Sequence, residues 1–304
     1  MPKLHDIVEK MKKESRAIAL GNFDGVHLGH QAVFEQLKKV SHEKKVKPLV
    51  LVLFPHPKEV FSGSSPAILT TIETRKALIL GLGLDVEVLT FDLSLAQMQA
   101  NDLLKTFQQD LGMQHLVIGP TTHIGMNREG TPSRIKEFSQ SMGFGVSIVD
   151  QLGIKGCKVS SSLIREYISK GDLRLVADLL GRHYVTRGVV KTGQGKGRSI
   201  GFPTANVHHI QTMVPGRGVY AGYVFLNGNN ERLKAAINVG IRPTVTLDKT
   251  LVVECHLIDF DQKIVGHELE IAWVERLREE VKFGSVDELK VQIQRDVRRA
   301  RDIL

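Results

Sequence analysis

The chain has only two cysteines in 304 residues, Cys157 and Cys255, far apart and outside any metal-ligand spacing. That scarcity excludes a disulfide scaffold and a cysteine-based zinc site. Long apolar runs are also missing. The longest are of the Leu49–Phe54 kind, far short of a membrane span. The N-terminal stretch MPKLHDIVEKMKKESR mixes acids and bases around no apolar core, so no signal peptide and a cytoplasmic location are expected. Aromatic residues are sparse at 6%, and no RNA-binding motif accompanies them, which argues against nucleic acid as a partner. No GxxxxGK[ST] string occurs, so a Walker A loop is excluded.

What remains is ordinary globular composition, 42% apolar and 24% charged, which rules out general disorder. At roughly 150 residues per domain the length suits two domains, each able to bury a core. The 41 basic against 33 acidic residues leave a net charge of +8, which favours anionic ligands, nucleotide phosphates among them.

The two halves differ in pattern. Ala17–Leu20, Leu49–Phe54, Asp85–Leu89, His115–Gly119 and Val146–Val149 are short, mostly branched apolar runs. Helix-length stretches such as His30–Val40 and Glu73–Leu80 lie between several of them. This alternation predicts a parallel sheet covered on both faces, with ligands at the carboxyl ends of its strands. The second half carries six strand-like runs: Tyr184–Val190, Thr204–Ile210, Val219–Asn227, Leu233–Val239, Leu251–Ile258 and Glu268–Leu277. They predict a small antiparallel barrel. A final helix is expected from the capping-box pair Ser285 and Glu288, with Val286, Leu289, Ile293, Val297, Ala300 and Leu304 on one face. Two short helices, Leu163–Lys170 and Leu173–Leu180, lie between the halves and end at Gly171 and Gly181. The expected domains are residues 1–182 and 183–304.

The first constellation is GNFDGVHLGH, Gly21–His30, directly after a strand and opening a helix. Gly21 and Gly25 allow a tight turn, and Gly29 allows a ligand to approach the helix start. Free N–H groups there seat phosphate, and His27 and His30 flank the seat as candidate donors. Either histidine alone could equally cap a turn. Further on, Lys158 and the run Ser160-Ser161-Ser162 precede a helix with Arg165 in its expected first turn. A cation there opposes the helix dipole by about 0.3–1 kcal/mol, a conflict that bound phosphate would remove. The serines are ordinary N-cap residues as well.

The second constellation is GQGKGRSIGFPTAN. Gly193, Gly195, Gly197 and Gly201, with Lys196 and Arg198 among them, can wrap phosphates, although a hairpin turn would explain the glycines equally. Thr204 and Asn206 stand two apart at a strand start, so their oxygens share a face and suit Mg²⁺. The alternative is an outward polar face of the barrel.

FDGVHLGH resembles the HxGH signature of nucleotidylyltransferases, and specifically the adenylyltransferase half of the bacterial bifunctional riboflavin kinase/FAD synthetase family. SSSLIR resembles that family's triphosphate-gripping motif. GFPTAN, GVY (Gly218–Tyr220), INVGIRPT (Ile237–Thr244), VECHLIDF (Val253–Phe260) and LREEVKF (Leu277–Phe283) resemble its kinase half, over nearly all of residues 183–304. The resemblance implies a nucleotidylyltransferase-like, Rossmann-type α/β domain followed by a six-stranded antiparallel barrel with a C-terminal helix. It implies ATP-dependent phosphorylation of riboflavin to FMN, then adenylylation of FMN to FAD, with ATP as co-substrate and Mg²⁺ as cofactor. The implied catalytic residues are Glu254, His27, His30 and Arg165. Asn22, Phe23, Gly25, Gly29, Lys158, Ser161 and Ser162 would hold ATP in the first half. Gly193, Gly195, Lys196, Gly197, Arg198, Gly201 and Pro203 would do so in the second, with Thr204 and Asn206 on the metal and Arg278 a candidate for flavin.

The chain departs from the family in four places. GPTTHIG puts Thr121, Thr122 and Ile124 where relatives carry a polar and then aromatic residues. Phe54–Pro57 is one residue shorter than usual. Leu163 and Val265 replace a basic and an aromatic residue. The first two changes predict weaker FMN binding in the adenylylation half, so a kinase with an impaired adenylyltransferase is the alternative. Arg295, Arg298, Arg299 and Arg301 read as a solvated helix face, diluted by Asp296 and Asp302. The remote reading of that tail is a flavin- or nucleotide-responsive RNA-binding protein.

Overall fold

The structure, a computed structural model, describes residues 1–11, 14–193, 196–241 and 251–304. It divides into two compact units, Met1–Ser161 and Ser162–Leu304.

In the first unit, β1 (Arg16–Gly21), β2 (Lys47–Phe54), β3 (Asp85–Thr90), β4 (Met113–Ile118) and β5 (Gly145–Ile148) form one parallel sheet in the order β3-β2-β1-β4-β5. The helices are α1 (Leu4–Lys10), α2 (Leu28–Lys44), α3 (Pro57–Ser62), α4 (Ile72–Gly81), α5 (Leu93–Gln97), α6 (Ala100–Gln109) and α7 (Pro132–Met142). Alternate strand residues enter two cores. Ile18, Leu20, Leu49 and Leu116 meet Phe107 of α6 on one face. Ala17, Ala19, Val50 and Val117 meet Phe34 and Leu37 of α2 on the other. Burial on both faces is why these strands read as continuous apolar runs. Strand order reverses at β1, so the loop leaving Gly21 sits at the place where such sheets bind ligands. A two-residue ribbon, β6 (Gly153–Ile154) with β7 (Cys157–Lys158), closes the unit.

In the second unit, α8 (Ser161–Lys170) and α9 (Leu173–Leu180) precede six antiparallel strands. These are β8 (Tyr184–Lys191), β9 (Ala205–His208), β10 (Gly218–Leu226), β11 (Leu233–Ile241), β12 (Leu251–Leu257) and β13 (Glu268–Arg278), closed into a barrel in the order β10-β11-β12-β9-β8-β13. A single turn, α10 (Lys196–Ser199), lies in the β8–β9 connection, and α11 (Val286–Ile303) ends the chain. The α/β sheet and the six-stranded barrel with its terminal helix are the architecture expected from sequence.

Some details differ. Ser285 Oγ accepts from the Glu288 N–H at 3.2 Å, but Glu288 returns its bond to Gly284 N–H, at 2.9 Å, one residue before the cap. Val286 is 56% exposed because it lies in the first turn of α11, beyond the packed face. Asp296 is buried rather than solvated, because it is ion-paired beneath the helix. Arg299 donates to the Leu277 carbonyl at 2.7 Å and Arg301 pairs with Asp259 at 2.8 Å, so part of the basic tail is engaged with the barrel.

Helix α9 buries Leu173, Val176, Leu179 and Leu180 and packs on β8 and β13. The Ile168 carbonyl accepts from Gly216 N–H at 3.1 Å, and that of Lys170 from Arg276 at 3.3 Å. Both helices are therefore built onto the barrel. Burying an aliphatic side chain stabilises by roughly 1.5–3 kcal/mol at most. A fragment of residues 162–304 is expected to be more stable than one of residues 183–304 by at least about 2 kcal/mol, read from urea midpoints. Equal midpoints would show that α9 contributes nothing to the barrel.

Candidate active sites

The loop after β1 adopts costly backbone conformations. Phe23 and Val26 have φ of 51° and 43°, and both are buried. A left-handed β-branched residue costs on the order of 1–3 kcal/mol and persists only where its surroundings over-determine it. Here the surroundings are a buried ion pair. Asp24 and Arg75 meet at 2.8 Å with side chains 4% and 1% exposed. Asp24 also accepts from the N–H groups of Leu69 and Thr70 and from the Thr70 hydroxyl. Arg75 reaches on to the Asn22 carbonyl at 2.7 Å and the Asn22 side chain at 3.3 Å, while Asn22 donates to the Leu53 carbonyl. The Thr70 hydroxyl takes the Gly25 N–H. Neither Asp24 nor Arg75 stood out in the sequence, because their spacing, 51 residues, carries no local pattern.

His27 caps α2: its Nδ1 accepts from His30 N–H at 3.2 Å. The neutral ring therefore carries its proton on Nε2. The two imidazoles stack, with centroids 3.5 Å apart, and His30 stands edge-on to Phe23. A Cβ on Gly29 would lie 3.2 Å from the His27 ring, so glycine gives that ring its place. Burial, then the neighbouring His27 and Arg75, hold the His30 pKa well below the usual imidazole value. His30 Nδ1 is buried without a hydrogen-bond partner among the described residues.

Helix α8 begins at Ser161, so Arg165 is its fifth residue and stands past the first turn. The expected clash with the dipole is correspondingly weaker. Ser161 Oγ donates to the Asp24 carbonyl at 2.8 Å, and Lys158 is exposed on β7. Ser162 and Arg165 belong to the second unit. In the GPTTHIG loop Ile124 is 6% exposed, joins the sheet core and pairs through its backbone with Gly130. The Thr121 carbonyl meets His123 Nδ1 at 2.8 Å.

The barrel contains a cavity of about 360 Å³. Strand register brings Asn206 of β9 opposite Glu254 of β12, and Glu254 opposite Asn238 of β11. The same row continues through Val219 of β10 to Arg278 of β13. All five residues line the cavity, together with Thr204, His256 and, at the α11 side, Phe283, Leu289 and Ile293. Asn238 is a polar member of this row that only the register reveals. A Cβ on Gly193 would stand 2.2 Å from the Asn206 side chain, and one on Gly197 2.4 Å from the Phe202 carbonyl. These two glycines let the loop lie against the strand start. Gly201 has φ of 91°, and Arg198 is exposed. Gly195 and the side chain of Lys196 lie outside the described residues. Arg278 forks onto Asp296 with bonds of 2.7–3.0 Å and donates to the Glu279 carbonyl. Cys255, between Glu254 and His256, is buried in the core, and burial pushes its thiol pKa up, so it is an inert side chain.

Among the described residues no group of three or more His, Cys, Asp or Glu could hold a metal, and no helix is long and apolar enough to cross a membrane. The oxygen-only donor set of Thr204, Asn206 and Glu254 nonetheless suits a hard cation that keeps most of its waters.

A family model described as FAD synthetase matches residues 9–163, and one described as riboflavin kinase matches residues 180–304. A bifunctional riboflavin kinase/FMN adenylyltransferase of Listeria monocytogenes is 35% identical over 286 residues, 93% of this chain and 90% of the relative. This chain belongs to that family. Relatives of the same description from Haemophilus influenzae, 35% identical, and Bacillus subtilis, 33% identical, are covered to 93% and 94% of their lengths and cover 94% and 97% of this chain. A crystal structure of a Streptococcus pneumoniae protein described as a macrolide-efflux protein has a TM-score of 0.89, at 27% identity over 99% of this chain and 97% of that one. The chain thus carries both an FAD synthetase and a riboflavin kinase domain, and is an ATP-using transferase.

The His30 geometry has a consequence for pH. A ring that binds its proton more weakly folded than unfolded stabilises the fold fully above the unfolded pKa, near 6.5. That contribution is lost as pH falls below it, by about 1.4 kcal/mol per unit. His115, whose pKa burial also lowers, acts with the same sign. Between pH 7.5 and 5, His30→Asn should flatten the fall in unfolding temperature of the first unit. Identical slopes for mutant and wild type would place the His30 ring in contact with water.

Proposed function

We propose that residues 183–304 phosphorylate riboflavin to FMN at the barrel cavity and that residues 1–182 adenylylate FMN to FAD, in the cytoplasm. The observation that carries this reading is the row Asn206–Glu254–Asn238, a carboxylate flanked by two side-chain amides in a cavity that Gly197 and Thr204 also line.

A ribityl hydroxyl is a poor nucleophile. Glu254 takes its proton as the hydroxyl oxygen bonds to the γ-phosphorus of ATP and ADP leaves. Gly193 and Gly197 offer backbone N–H groups to the phosphates, Arg198 offers charge, Gly201 turns the loop with its φ of 91°, and Pro203 sets the turn into the strand. Thr204 and Asn206 would hold Mg²⁺, which when bound neutralises phosphate charge. Arg278, pinned on Asp296, faces the same cavity and is the candidate for flavin contact.

Adenylylation needs no base, because the attacking FMN phosphate is already an anion. It bonds to the α-phosphorus of ATP as pyrophosphate leaves. His27 through Nε2–H and His30 stabilise the charge that develops there. Asn22, Phe23, Gly25 and Gly29 shape the seat, and Lys158 and Ser161 contribute to the triphosphate. With Ile124 turned into the core, the GPTTHIG loop offers FMN little. A raised KM for FMN follows, and FMN accumulates before FAD at low flavin.

Chromatography of products from riboflavin, ATP and Mg²⁺ tests both halves. Glu254→Gln should lower the rate of FMN formation on the order of 10²-fold, while FAD still forms from supplied FMN. A near-wild-type rate would remove Glu254 from the reaction. His30→Ala should abolish FAD formation and leave FMN formation intact. Absence of FAD from the wild type at saturating FMN and ATP would leave a kinase alone.

A further inference from the structure

We propose that His256 is a positioning residue for the kinase reaction: its Nδ1–H, held on the Pro203 carbonyl, sets the turn that presents Thr204 and Asn206 to the cavity. The inference rests on the reading of the barrel site given above. The β9–β12 ladder pairs Val207 with Val253, Asn206 with Glu254 and Ala205 with Cys255, and there it stops. The same register next sets His256 opposite Thr204. The residue before Thr204 is a proline, which has no N–H to continue a ladder. Its half-buried carbonyl still needs a donor, and His256 Nδ1 lies 2.8 Å from it. A carbonyl oxygen only accepts, so the ring proton is on Nδ1.

Upstream, the turn closes on itself. Phe202 N–H and Ile200 N–H both reach the Gly197 carbonyl, at 2.8 and 3.3 Å, and Gly201 N–H reaches that of Arg198 at 3.2 Å. None of these bonds reaches β12. The Phe202 ring stands edge-on to the His256 ring at 5.5 Å. His256 therefore ties the turn to the strand that carries Glu254, two residues earlier and on the same face. The base and the metal-facing oxygens are held in one register through that tie.

Three variants of the full chain separate the roles of the ring. His256→Asn keeps a donor where Nδ1 stood, His256→Gln moves it to the position of Nε2, and His256→Phe keeps only the shape. The Phe and Gln variants should raise the KM for ATP and the Mg²⁺ requirement of FMN formation roughly two- to tenfold, with a smaller change in kcat. The Asn variant should stay within about twofold of wild type. Wild-type behaviour of the Phe variant, rescue by Gln but not Asn, or equal impairment of all three would overturn the proposal. So would ¹⁵N shifts of the wild-type imidazole that show the Nε2–H tautomer, a measurement independent of how the variants fold. Glu254→Gln, assayed in parallel, separates the two failures. If it retains wild-type kcat, the site itself is misread. If it collapses while the Phe variant is unaffected, only the role of His256 falls.

Discussion

A single buried ion pair holds the first site in shape. Asp24 and Arg75 are almost fully enclosed, and each satisfies several backbone groups of the two loops that meet there. Removing one partner of such a pair costs about 3–5 kcal/mol, because the other charge is left buried and unpaired. That is enough to keep Phe23 and Val26 in left-handed conformations, and those conformations set where α2 begins. His27 then falls at the N-cap, its Nδ1 accepting from the His30 N–H. The stacked pair of imidazoles and the positive end of α2 are consequences of this one charge pair.

The barrel solves a similar problem with register instead of charge. Antiparallel pairing places Asn206, Glu254, Asn238, Val219 and Arg278 in one row around the wall. A slip of one residue would turn every member of a strand to the opposite face. The row is held at its far end by α11, where Asp296 grips the Arg278 guanidinium and Gln292 donates to the same carboxylate at 2.9 Å. The terminal helix is thus part of the cavity wall, and the polar and apolar sides of the cavity are fixed by the same strands.

Both sites lie where regular pairing ends. In the sheet, β1 stops at Gly21 and the chain must find new partners for its backbone, which Thr70 and Arg75 supply. In the barrel, the β9–β12 ladder stops before Pro203, and a histidine ring supplies the missing donor. Unpaired backbone is what a phosphate-binding loop offers to its ligand, so the end of a ladder is a natural place for such a loop.

Much of this was legible in the sequence. The strands of both halves, the glycine-rich turns, the spacing of His27 and His30 and the strand carrying Glu254 all follow from periodicity and from residues with special backbone needs. Those signals act over a few residues, and a linear pattern carries them. The tertiary structure alone decided the Asp24–Arg75 pair, the place of Asn238 beside Glu254, the burial of Asp296, the start of α8 before Arg165 and the nitrogen of His27 that caps α2. Each of these depends on partners that strand register or packing brings together from distant parts of the chain. No local pattern records such a pairing, because its free energy exists only once both segments are folded.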